Sequence, residues 1–200
     1  PYIVGWAITN KCNLHCKHCN MSSGHALESE LTTVEACSII DDLAANNVWN
    51  ICFTGGEPLT RRDFFDISNY AISKGLLVCV TTNGILVNRE MIERELFKFN
   101  AVRISLDGKD ANSNFFTRQS KSAYDKAINA IRILCEEGCN TIVSTCVSKR
   151  NIDDLDEMAK IISDLGVKRW TMPLFFPSGR GTQIADIALS PEEVRSFIIK

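Results

Sequence analysis

An α/β fold built on a parallel sheet is what this sequence predicts, and three observations predict it. Six short β-branched or apolar runs alternate with amphipathic helical patterns along the 200 residues. Capping residues and glycines mark where those helical patterns begin and end. Polar clusters recur just past the carboxyl end of each run, where open α/β sheets and (βα) barrels place their sites. Each crossover helix returns the chain to the same end of the sheet, so six βα units fit either a doubly wound open sheet or an incomplete barrel.

Residues 3–9, 50–54, 77–81, 102–106, 141–147 and 169–174 read as buried strands. Thr32 and Glu35 form a capping box for a helix reaching about Ala45. Asp63 is expected to cap a helix carrying Phe64, Ile67 and Ala71, and Gly75 to end it in the left-handed conformation. Residues 88–97 form a weaker helical pattern. The strongest places Tyr124, Ala127, Ile128, Ile131, Leu134 and Cys135 on one face and stops at Gly138. Another carries Leu155, Met158, Ala159, Ile162 and Leu165 and stops at Gly166. Ser190, Pro191 and Glu193 open a last helix with Val194, Phe197 and Ile198 as its apolar stripe. That pattern is still helical at Lys200, so residues 1–200 are read as one core domain of a longer chain. Residues 176–181 form the one loop-rich run.

Apolar residues at 45% and charged residues at 23% provide for a sizeable core and exclude wholesale disorder. A net charge of -2, with the basic residues dispersed, argues against a nucleic-acid groove held by charge. No apolar run approaches a bilayer-spanning length, and no secretory pattern opens the sequence. Nine cysteines, an odd count beside an ordinary core, make a poor disulfide framework. Metal ligands, redox groups or small core residues in a reducing cytoplasm are expected instead, with neither membrane nor nucleic acid as partner.

The first strand leads into Cys12, Cys16 and Cys19, a C-x3-C-x2-C loop. Three thiolates so close can converge on a metal centre. An iron–sulfur cluster normally takes four such ligands, so three would leave one iron open for chemistry. Zinc held by the three cysteines with His15 or His18 is an alternative, as is a redox-active pair or unligated structural cysteines. Past the second strand stand Gly55, Gly56 and Glu57. The glycines permit close backbone approach, and the carboxylate can accept hydrogen bonds from an ammonium group. The third strand ends at Asn83-Gly84, an ordinary turn signal on its own. On the fourth, Ser105 and Asp107 project to the same side. The sixth leads to Pro177-Ser178-Gly179-Arg180.

These motifs together resemble the radical S-adenosylmethionine (radical SAM) enzymes over nearly the whole chain. The resemblance implies a partial (βα)6 TIM-type barrel with parallel strands. It further implies that Cys12, Cys16 and Cys19 hold a 4Fe-4S cluster whose fourth iron chelates S-adenosylmethionine. Reductive cleavage would give a 5'-deoxyadenosyl radical that abstracts a substrate hydrogen. By the same resemblance His18 occupies a position that is often aromatic, Gly55, Gly56 and Glu57 hold the methionyl amino group, and Ser105 meets the ribose or carboxylate. Asn83 joins the polar network, backbone groups near Val147 meet the adenine, and Arg118 is the basic residue placed to pair with the cofactor carboxylate. The segment expected to read His-Asp instead reads Asn112-Ser113-Asn114.

The Ser-Leu-Asp-Gly, Thr-Asn-Gly and Pro-Ser-Gly-Arg segments are most similar to the subgroup with a C-terminal auxiliary-cluster (SPASM/twitch) extension. Peptide or protein modification is the expected role, with haem or quinone-cofactor biosynthesis as the alternative and a non-catalytic zinc or iron–sulfur module as the non-enzyme reading. An electron donor such as a flavodoxin or ferredoxin is implied as partner. Cys37, Cys52, Cys79, Cys135 and Cys146 are expected to pack, and Cys139 follows the helix stop at Gly138 with nothing near it to suggest a second cluster. His25 is expected to be exposed, and Trp6, Trp49 and Trp170 to be packing residues.

Overall fold

The computed structural model describes residues 2–199. Six strands, β1 (Ile3–Thr9), β2 (Asn50–Gly55), β3 (Leu77–Thr82), β4 (Ala101–Ser105), β5 (Thr141–Ser144) and β6 (Arg169–Thr171), form one sheet in sequential order. Every neighbouring pair is parallel. Seven helices join them or follow: α1 (Thr33–Ala45), α2 (Phe64–Ser73), α3 (Arg89–Arg94), α4 (Ala111–Arg118), α5 (Ala123–Glu136), α6 (Leu155–Asp164) and α7 (Pro191–Ile199). A doubly wound sheet needs a point where strand order reverses, and this order never reverses. Right-handed crossovers, the rule for parallel strands, bring the connecting helices to one face. Helices α1, α2, α3, α5 and α6 share one core with the sheet, which curls as a partial barrel. Among the described residues β1 and β6 do not pair with each other, so the barrel stays open along one side.

Strand alternation divides the side chains. Ile8, Ile51, Phe53, Val78, Val80, Val102, Ile104 and Val143 turn outward and are buried with Ile40, Phe64, Ile67, Ile92, Ile131, Leu134, Met158 and Ile162 of the helices. Phe64 meets Phe53 edge-on, with ring centres 5.6 Å apart. The inward set, including Ala7, Cys52, Thr54, Cys79, Thr81, Arg103 and Ser105, keeps part of its surface accessible. Cys52 and Cys79 are thus lumen residues rather than core packing.

Where the structure departs from the sequence expectations, the causes are local. Asp63 makes no capping bond to α2, because its carboxylate accepts instead from Arg61 at 2.8 and 3.0 Å and from the Thr33 hydroxyl at 2.6 Å. Helix α4 has too few apolar residues to show a stripe. It is held by a capping pair in which Asp110 accepts from the Ser113 amide at 2.8 Å, and by the buried Asn114 and Thr117. Strands β5 and β6 end three residues early. Pro173 lacks the amide that would continue the ladder, which persists only as a bridge between Val147 and Leu174. The end of the expected loop, from Gly179, passes into two short 3-10 turns divided by a kink at Ile184. In α7 the Ser190–Glu193 capping box is present, Val194 and Phe197 are half-buried, and Ile198 is 73% exposed. The expected continuation at Lys200 lies outside the described residues.

Candidate active site at the carboxyl end of the sheet

The loop after β1 is pinned by backbone bonds before its side chains matter. The Cys12 amide donates to Gly24 O at 3.0 Å, Glu57 N to Lys11 O at 2.8 Å, and Lys17 N to Thr117 O at 2.8 Å. Cys12, Cys16 and Cys19 are free thiols on the wall of a cavity of about 410 Å³. Burial pushes the Cys12 and Cys16 thiols above the ordinary range, and Arg118 opposes this at Cys16. A bound iron reverses that order by taking the thiolate directly. Among the described residues no three His, Cys, Asp or Glu side chains converge on a point that one ion could occupy. His15 is exposed, and Nε2 of His18 lies 3.3 Å from Asp107 Oδ2. Neither histidine joins the thiols as a zinc site requires. Thiolates that each hold a different iron need no such convergence.

His18, Gly55, Gly56, Asn83, Ser105 and Arg118 line the same cavity. Asn83 donates from Nδ2 to Asn13 Oδ1 at 2.7 Å and accepts at Oδ1 from Ile85 N at 3.0 Å. Arg118, at the end of α4, is an ion-pair partner and not a solvated loop arginine, its Nε 2.6 Å from Asp107 Oδ2. Burial alone would depress the guanidinium's affinity for its proton, but Asp107 and Cys16 more than offset this and hold it above its usual range. His18 is lowered by burial despite the pull of Asp107.

Two of the expected site residues stand elsewhere. Val147 is fully buried and absent from the cavity wall; its amide donates to Pro173 O and its carbonyl accepts from Phe175 N, each at 2.8 Å. Its amide and one lone pair of its carbonyl are thus taken up by the segment after β6, while its neighbour Cys146 lines the cavity. Glu57, 1% exposed, is also absent from the wall. Its Oε1 accepts from the Thr82 hydroxyl at 2.7 Å and from Leu59 N at 3.2 Å, and its Oε2 from Asn83 N at 2.7 Å. The carboxylate therefore shapes the turn after β3, and its influence on a ligand passes through Asn83. Burial outweighs these bonds and raises the carboxyl from 4.5 to about 6. The folded state thus keeps its proton over a window in which the unfolded chain has lost it. Stability is expected to fall by about 2 kcal/mol as pH rises through that window and to level off above it. Glu57→Gln should remove this slope while costing about 1–3 kcal/mol, because one amide loses its acceptor. Urea unfolding of both proteins between pH 4 and 7 measures both effects, and an unchanged slope in the variant would count against the assignment.

Sequence reasoning gave Asp107 no role beyond its side of the strand, yet it organises the wall. Oδ2 faces Arg118, His18 and, at 3.5 Å, the Thr117 hydroxyl, while Oδ1 accepts from Cys146 N at 2.9 Å. Cys146, expected to pack, lines the cavity, and burial together with the Asp107 charge pushes its thiol up to about 12. Leu174, Phe175, Phe176 and Arg180 complete the wall on the β6 side. The Asp110–Ser113 capping signal could have revealed α4, and with it that Arg118 stands at the end of a helix.

The described residues contain four buried side-chain polar atoms without a hydrogen-bond partner: His18 Nδ1, Ser23 Oγ, Arg103 Nε and Arg118 Nε. Arg118 Nε is close to Asp107 but out of line for a hydrogen bond. Three of the four residues, all but Arg103, line this cavity. Unsatisfied buried polar atoms are costly unless a ligand completes them. Three thiols beside His18 Nδ1 and Ser23 Oγ fit a sulfur-ligated cluster carrying a polar organic cofactor.

Residues 6–162 match the family model of the radical SAM superfamily. The AdoMet-dependent heme synthase of Methanosarcina barkeri is 31% identical over 190 residues, 94% of this chain and 54% of that protein. The mycofactocin maturase of Mycolicibacterium smegmatis is 35% identical over 188 residues, 93% of this chain and 47% of that one. The chain spans about half the length of these curated relatives. Streptococcus suis SuiB, solved bound to S-adenosylmethionine, superposes with a TM-score of 0.85 at 17% identity, covering 100% of this chain and 46% of SuiB. That likeness shows the fold.

Proposed function

Because this chain belongs to the radical SAM superfamily, whose cofactors are a 4Fe-4S cluster and S-adenosylmethionine, we propose that it forms the core of an enzyme that abstracts hydrogen from a peptide or protein substrate. The observation that carries the reading is the meeting of three loop thiols with buried, unsatisfied polar atoms in one cavity at the carboxyl ends of the strands. Cys12, Cys16 and Cys19 would hold the cluster. Backbone groups of Gly55 and Gly56, with Asn83, would receive the methionyl amino group; Ser105 would meet the ribose, and Arg118 the carboxylate. When bound, the cofactors supply a 5'-deoxyadenosyl radical after the cluster receives one electron from a flavodoxin- or ferredoxin-type donor. The protein fixes the polar end of the cofactor and keeps water away with Leu14 and Phe175, 8% and 7% exposed. A cavity of about 410 Å³ is of the size that one drug-sized ligand fills. The substrate therefore reaches the site from its rim or through the open side between β1 and β6.

A peptide is favoured by 35% identity to the mycofactocin maturase and by that open side, which admits an extended chain. A tetrapyrrole is the second reading, favoured by 31% identity to the heme synthase. No helix among the described residues is long and apolar enough to cross a membrane. A reducing cytoplasm is the compartment we propose, because it suits an oxygen-sensitive cluster and nine free thiols.

Electron paramagnetic resonance of anaerobically reconstituted, reduced protein tests the reading. A cluster signal is expected that changes on adding S-adenosylmethionine and disappears in the Cys12→Ala/Cys16→Ala/Cys19→Ala protein. A signal indifferent to the cofactor points to electron transfer, and stoichiometric zinc without a cluster to a zinc module. Release of 5'-deoxyadenosine stimulated by iron coproporphyrin rather than by peptides would favour the tetrapyrrole.

A further inference from the structure

The two halves of the cysteine loop are held differently. The entry is fixed by backbone bonds of Cys12 to Gly24 and of Glu57 to Lys11. The half from Cys16 to Ser23 is tied once to α4, by Lys17 N donating to Thr117 O, and otherwise turns on the segment that follows β6, more than 150 residues later. Arg180 donates from Nε to Cys16 O at 2.9 Å, from Nη1 to Ser23 O at 2.7 Å and from its own amide to Cys19 O at 3.0 Å. Among the described residues no other side chain donates to a backbone carbonyl between Cys12 and Ser23. Its neighbour is fitted to the same contact. Gly179 has φ of 54°, and a Cβ there would stand 2.3 Å from Asn20 O and 2.6 Å from Cys19 O. Gly181 in turn lies under Phe175, where a Cβ would meet the ring at 3.0 Å. The stretch from Leu174 to Arg180 is therefore both the β6-side wall of the cavity and a latch on the loop.

We propose that Arg180, seated by Gly179, is a positioning residue for the cluster: it fixes the Cys16–Cys19 spacing and holds a positive charge beside the metal site. This rests on Cys12, Cys16 and Cys19 being the ligands. Groups that hold metal ligands from behind set both affinity and electronics. The planar fork of arginine reaches two carbonyls at once, which a lysine ammonium does not reproduce. Reduction adds a negative charge to the cluster, and a nearby cation stabilises that state, so the charge of Arg180 raises the reduction potential.

The test uses the whole reconstituted chain and separates fork from charge. Iron release to a chelator and the dithionite-titrated midpoint potential are measured for wild type, Arg180→Ala, Arg180→Lys and Gly179→Ala, with far-UV circular dichroism to verify folding. Arg180→Ala should release iron roughly 10–100 times faster and show a more negative potential. Arg180→Lys should release iron faster at a potential close to wild type. Gly179→Ala should do the same, since it disturbs the loop and leaves the charge. Wild-type release and potential in folded Arg180→Ala would overturn the proposal. Should that variant not fold, Arg180→Lys with wild-type release overturns it equally. Failure of the wild type to take up a cluster would instead refute the ligand assignment beneath it.

Discussion

Replacing Asp107 with alanine is expected to destabilise the chain by about 3–5 kcal/mol, the cost of leaving a buried charge without its partner. The carboxylate is fully buried. Burial alone would raise its pKa, yet Arg118 and His18 hold it below the ordinary carboxylate range. Arg118 is itself only 11% exposed in its side chain, so water cannot take over from the lost partner. The same truncation removes the acceptor for Cys146 N and unties β4 from the end of β5. Asp107→Asn retains the shape and that acceptor but not the charge, and should cost less. Combining Asp107→Ala with Arg118→Met removes the stranded cation and should recover part of the loss, since apolar replacement of both members of a buried pair is often tolerated. Urea unfolding of the single and double variants measures the coupling. Purely additive effects would mean that Arg118 and Asp107 stabilise the wall independently.

That network also marks the limit of what the sequence could disclose. The strands were legible because their outward positions must be apolar to bury against helices, as in the alternation of Ile51 and Phe53 with Cys52 and Thr54. The choice between open sheet and barrel was not legible from periodicity, because strand order depends on contacts far apart in the chain. The cysteine loop stood out because three like residues fall within one short stretch. Asp107, Arg118 and Arg180 could be named from the sequence but their internal partners could not, since those lie on other elements: Asp107 for Arg118 on α4, and Cys16, 164 positions away, for Arg180. Glu57 shows the opposite limit. A carboxylate beside two glycines reads as a ligand for something outside the protein, whereas three internal donors claim it. Asp63 shows the same competition in miniature, with Arg61 outbidding the helix terminus.

Gly56→Ala should destabilise the chain by about 1–3 kcal/mol through overpacking, with about 1 kcal/mol more for a displaced hydrogen bond. It should also lower cluster occupancy. A Cβ at Gly56 would stand 2.2 Å from Lys11 O, 2.7 Å from Lys11 C and 2.8 Å from Asn10 O. All three are backbone atoms, so no side chain can swing aside to make room. Either the turn after β2 or the start of the cysteine loop must move, and the bond from Glu57 N to Lys11 O lies directly in the way. Gly55→Ala adds a conformational penalty, because its φ of 121° is one that L side chains rarely adopt. Gly5 on β1 supplies the control: a Cβ there meets nothing within 4 Å, so Gly5→Ala should leave stability and iron content unchanged or slightly improved. Urea unfolding and iron analysis of the three variants decide the matter, and a Gly56→Ala protein as stable and iron-rich as Gly5→Ala would refute the steric argument. The glycine pair, read from sequence as room for a ligand, is thus first of all room for the protein's own cysteine loop. Close approach of two backbones brings the thiols of Cys12, Cys16 and Cys19 to the wall that Gly55 and Gly56 share.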